Sequence, residues 1–108
     1  MKWKWVLAAC ALACTASAQM PTMADGFMKA MEASMTRMDK GMAEAPMNGN
    51  ADHDFATMML AHHQGAIDMA KAELSYGKDP VMRRLAQEIL VDQQSEMDAM
   101  NLWLKKTH

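Results

Sequence analysis

At 108 residues the chain is long enough for one small domain and no more. Thirteen acidic against eleven basic side chains give a formal charge of −2, which argues against the basic face that a nucleic-acid partner requires. Fifteen methionines against two cysteines make the sulfur of this chain almost all thioether.

Residues 1–18 read as an export signal. Lys2 and Lys4 open it, the stretch from Val6 to Cys14 is apolar, and Ala16-Ser17-Ala18 supplies the small residues that a signal peptidase reads. The apolar run falls well short of the roughly 20 residues of a membrane span, so the mature chain is expected to have no integral anchor. A lipoprotein reading competes, because Cys10 and Cys14 each follow small residues, but cleavage after Ala18 is favoured. Removal of this segment takes away both cysteines and leaves nine basic against thirteen acidic side chains, a formal charge of −4. The rest, about 90 residues, is marginal for burying a core alone. Self-association or a bound metal can supply what the core lacks.

The mature part reads as one all-α domain: a methionine-rich helix and linker over 19–51, then a helical hairpin over 52–108. Thr22 with Asp25 three residues on resembles a capping box, which starts a helix over Met23 to Met42. Ala45-Pro46-Met47-Asn48-Gly49-Asn50 is a turn-rich linker. Asp52 and Asp54 suit the start of the second helix, and Gly77 its end. Asp79-Pro80 is an N-cap followed by proline at the first helical position, and the third helix runs on to about Lys105. The short connection at 77–79 predicts that helices two and three pack as an antiparallel pair.

The choice of apolar residues is informative. Met28, Met31, Met35, Met38 and Met42 repeat at spacings of three and four, a continuous stripe on a helix. Such a stripe is ordinarily core. Yet from Gln19 to Met59 there is no leucine, isoleucine or valine, and methionine specifies packing poorly. Two readings therefore stand: the stripe packs, or it packs and also offers thioethers to a metal.

The second helix carries Met58-Met59 one turn before His62-His63. Gly65 in mid-helix costs about 1 kcal/mol relative to alanine and signals close approach by another backbone or a ligand. A hairpin turn centred near Lys78 sets position 62 opposite 94, so Gln93, Gln94, Glu96 and Met97 lie near the histidines. Gln93 falls on an otherwise apolar stripe, and an imidazole is its expected partner. A turn centred near Met47 brings Met31 and Met35 to the same level, and leaves His53 near Trp103 and Met42, away from the cluster.

Thioethers are soft donors that select Cu(I), and imidazole suits copper in either oxidation state. Neither forms disulfides, so the set suits an oxidising compartment. Ligation needs neutral histidine, so binding weakens on acidification. Adjacent histidines cannot both face one direction on a helix. One binds metal and the other bonds across to the third helix or lies at the rim; which does which stays open.

From Asp52 to Leu104 the sequence resembles domain-of-unknown-function family 305, ferritin-like helical proteins that include the copper-binding CopM type. The resemblance is carried by Asp52, Phe55, Met58, Met59, His62-His63-Gln64, Ala66-Ile67 and Met69-Ala70, then Gly77-Lys78-Asp79-Pro80, Leu85-Ala86, Ile89, Gln93, Glu96 and Met100 through Trp103-Leu104. It implies an all-α, ferritin-like bundle outside the cytoplasm with a role in copper binding or tolerance. With three helices, a complete four-helix bundle requires a second copy of the chain, a homodimer.

The expectation is thus a three-helix antiparallel bundle in the periplasm, or secreted. It binds copper as Cu(I), with Cu(II) or Ag(I) as secondary ligands, to buffer it, confer tolerance or pass it to a partner protein. The candidate ligands are Met58, Met59, His62 and His63, with Met97 and Met35 as contributors. The alternative is a metal-free helical interaction module with an adaptable methionine face. A di-iron enzyme is disfavoured because no Glu-x-x-His pair occurs. Nucleophilic hydrolysis is disfavoured too, since the mature chain has no cysteine and no recognisable serine motif, and the chain is not expected to be an enzyme.

Overall fold

The computed structural model describes residues 22–107 and consists of three α-helices: α1 Met23–Ala43, α2 Ala51–Tyr76 and α3 Pro80–Thr107. The expected export signal lies outside the described residues. The protein is an all-α, three-helix antiparallel bundle.

Local chemistry sets each boundary. The Asp25 N–H donates to Thr22 Oγ1 at 3.2 Å and the Thr22 N–H donates to Asp25 Oδ2 at 2.9 Å, the capping box expected. Those bonds hold the Asp25 carboxyl below its ordinary value, the Thr22 backbone N–H first and its hydroxyl second. Asn50 caps α2 by accepting the His53 N–H at 3.1 Å. Asp54 does more than complement the helix dipole. Its carboxylate accepts the N–H groups of Asn48 (2.9 Å) and Gly49 (3.1 Å), which folds the linker onto α2. Gly49 has φ +85°, a left-handed conformation that glycine adopts without strain. The Thr57 hydroxyl donates to the Pro46 carbonyl at 2.9 Å, so the linker runs back alongside the first turns of α2.

Gly77 ends α2 as expected, but for another reason. Its backbone is extended, not left-handed, and the Glu73 carboxylate occupies the space a Cβ would need. The Arg83 guanidinium donates to the carbonyls of Leu74 (2.7 Å) and Gly77 (3.1 Å), satisfying acceptors that the helix end leaves open. The Asp79 carboxylate caps α3 by accepting the N–H groups of Val81 and Met82, each at 3.0 Å.

The middle helix, α2, packs against both neighbours on opposite flanks, and no Cα atom of α1 comes within 8 Å of α3. The bundle is therefore a single layer of three helices. Its buried apolar residues are small: Ala56, Ala70, Ala72 and Ala86 join Ile67. In the α1–α2 seam Gly26 faces the Tyr76 ring, Gly41 faces Ala61 and Gly65 faces Met38. Ser34 is buried there too, its hydroxyl donating to the Ala30 carbonyl at 2.7 Å. Small residues let the helices approach closely and push the large side chains to the flanks of the seam. The methionine stripe of α1 consequently runs along the margin of the seam, into which Met38 reaches against Gly65. Met28 and Met35 are 52% and 42% exposed, and Met31, Met38 and Met42 are half-buried.

Candidate metal site

Helical spacing and the α2–α3 turn bring five of the six predicted residues to one level of the hairpin. His62 and His63 sit on neighbouring directions of α2, their ring centroids 6.0 Å apart with the planes at 61°. His63 is turned into the α2–α3 seam, where its side chain is mostly covered, and His62 is exposed. The expected level of α3 is correct: His63 Nε2 is hydrogen-bonded to a carboxylate oxygen of Glu96. Met58 and Met59 lie one turn before the histidines and are half-buried, as is Met97, the residue after Glu96.

The arrangement at His63 has chemical direction. With Nε2–H donating to the Glu96 carboxylate, Nδ1 is the ring nitrogen left for another partner. Nδ1 is buried and has no hydrogen-bond partner. An imidazole held by a carboxylate through one nitrogen, with the other nitrogen open, is the usual condition of a metal-ligating histidine. Gln93 is placed in the same seam, but the imidazole partner expected for it is not made: Gln93 Oε1 is also buried and unpartnered. Two polar atoms without partners in one small seam are costly unless a ligand satisfies them.

The contribution of α1 differs from expectation. Arg37 pairs with Asp68 at 3.3 Å, Met38 packs on Gly65 and Gly41 on Ala61. That register sets Met38 and Met42 near the level of the histidines. It carries Met35, and Met31 beyond it, past His62 by more than a helical turn. Met35 is therefore not brought to the histidines. The close approach at Gly65 comes from the Met38 side chain: a Cβ there would meet the methionine Cβ and Sδ at 2.8 Å. The glycine pattern of α1 and α2 carries this register, whereas linker length does not.

Among the described residues no three His, Cys, Asp or Glu side chains converge in a way that would hold a metal. The soft and imidazole donors within a helical turn on α2 are Met58, Met59, His62 and His63, with the Glu96 carboxylate on His63 Nε2. Such a set fits a soft ion and does not fit a hard cation that needs several oxygens.

A family model described as Domain of unknown function (DUF305) matches residues 5–104. The chain belongs to this family. The match extends ahead of the Asp52–Leu104 stretch and takes in α1 as well. The chain is also similar to an uncharacterised protein of Acanthamoeba polyphaga mimivirus, with 38% identity over 50 residues, which is 46% of this chain and 33% of the viral protein. The matched region thus spans about a third of that relative's length.

Proposed function

We propose that this member of the family is a periplasmic copper-binding protein, not an enzyme, that takes Cu(I) as cargo for buffering, tolerance or transfer to a partner. The observation that carries the reading is His63, held by Glu96 through Nε2 with Nδ1 buried and without a hydrogen-bond partner, on a helix that carries half-buried Met58 and Met59 one turn earlier. A soft monovalent ion satisfies these donors with few ligands, and Ag(I) shares that chemistry. His63, Met59 and Met97 would hold the ion in the α2–α3 seam. His62, Met58, Met38 and Met42 form a second group of donors toward α1. The export-signal pattern of residues 1–18 and the absence of cysteine beyond it support a site built for an oxidising compartment.

The test is competition with a chromogenic Cu(I) chelator on residues 19–108, so that Cys10 and Cys14 do not contribute. Tight binding is expected, and it should fall by about 100-fold in His62→Ala/His63→Ala. Binding that survives the double substitution moves the site to the methionines of α1. Absence of competition ends the copper reading.

A further inference from the structure

Each helix presents a stripe to the same side of the layer. Phe55, Met69 and Glu73 of α2 line grooves on that side, and His62 shares their spacing. On α3 the grooves are lined by Met82, Leu85, Ile89, Met100 and Trp103, which follow one another at helical spacing. On α1, Ala24 lines a groove beside Glu73, and the methionine stripe from Met28 to Met42 continues from it by threes and fours. The opposite side of the layer is different: Arg37, Asp68 and Lys71 line its groove.

Met28, Met35, Phe55, Met82, Leu85 and Trp103 are between 36% and 63% exposed. At roughly 100 Å² each they leave on the order of 600 Å² of apolar side chain uncovered, the upper end of what a monomer carries. None of the three stripes contains a lysine or arginine, and their charged residues are acidic: Glu73, Asp92 and Glu96. Glu32 and Asp39, one turn beyond Met28 and Met35, extend the acid along the outer edge of α1.

We infer that this face is the docking surface for a basic amphipathic helix of a partner protein, laid between α1 and α3 over α2. A helix with an apolar stripe and flanking lysines or arginines matches both the thioether groove and its acidic border, the helix-in-groove mode of recognition. Methionine side chains reshape themselves to such a guest. A second copy of the chain fits less well, because stacking the face on itself sets acid against acid with no cation to compensate. The inference stands on the shape and charge of the face and does not depend on copper.

Fluorescence anisotropy on the chelator-treated full chain tests it, with a labelled synthetic helix of leucine and lysine as probe and the leucine–glutamate helix of the same pattern as control. The lysine helix should bind at least about tenfold more tightly, and less so at high salt. Met35→Ser/Phe55→Ser should weaken it about tenfold with helicity by circular dichroism unchanged, whereas Lys71→Ala, on the opposite side, should not. Equal binding of the two helices, or binding indifferent to the Met35/Phe55 substitutions, overturns the inference. So does a dimer in sedimentation that Met35→Glu dissociates, which assigns the face to a second copy.

Discussion

The two seams of α2 solve different problems with different residues. Toward α1 glycine, alanine and serine let Met38 and the Tyr76 ring close on the facing backbone; Ser34 bonds within its own helix, and the ion pair of Arg37 with Asp68 crosses the seam. Toward α3 a histidine, a glutamate and a glutamine enter a contact built mainly of alanine, aliphatic side chains and methionine. The first seam is specified by how closely two backbones can come, and tolerates no added volume. The second keeps unsatisfied polar atoms, a feature that packing alone would have eliminated. Shape holds one seam together, while the other keeps buried polar atoms that lack hydrogen-bond partners.

The largest test of that contrast is Gly65→Ala. Helix propensity alone would stabilise the variant by about 1 kcal/mol, but the new Cβ meets the Met38 Cβ at 2.8 Å. Overpacking should win, and urea unfolding should show a net loss of about 1–3 kcal/mol. A gain in stability would show that α1 is not held by close approach. Next comes Arg83→Met, which removes two charge-assisted bonds to the end of α2. The same measurement should show a loss of about 1–2 kcal/mol, with α3 still helical. Glu96→Gln should leave stability nearly unchanged yet reduce Cu(I) affinity by about tenfold, the usual effect of losing a carboxylate behind a ligating histidine. An equal loss in both quantities would make Glu96 a packing residue.

The smallest effect is acid sensitivity at the caps. The Asp54 carboxyl is held below the ordinary 3.8, first by its bond to His53 and then by the Asn48 N–H, and Asp25 is lowered likewise. A depressed folded value means that the contribution is complete above 3.8 and disappears as the pH falls through the lowered values. Circular dichroism should therefore show cap-dependent fraying only below that point. In Asp54→Asn that part of the acid transition should be absent.

The helices and the caps of α1 and α3 were legible in the sequence because they are written within four residues of each other, Thr22 with Asp25 and Asp79 with Pro80, whereas Asn50, the cap of α2, was read as linker. The level of α3 was legible too, since a three-residue turn leaves almost no freedom, and Glu96 met His63 as the spacing required. The level of α1 was not. Reading the linker as a simple turn at Met47 ignored that Asp54 and Thr57 draw it back along α2, which moves the turning point toward α2 and slides α1 along its neighbour. For that reason Met38, and not Met35, stands near the level of the histidines. The methionine heptad misled in a related way. Periodicity identifies a stripe, but the glycines and serine beside it decide which stripe faces a neighbour.

The absence of contact between α1 and α3 also shapes how the molecule comes apart. With only nearest-neighbour interfaces among the three described helices, their stability is expected to divide into two nearly additive parts, as it does in a repeat array. α1 can detach as a unit while the α2–α3 hairpin stays closed, so amide hydrogens of α1 should exchange through a cheaper opening than those of the hairpin. The expected order of opening is α1 first, with the His63 seam still closed.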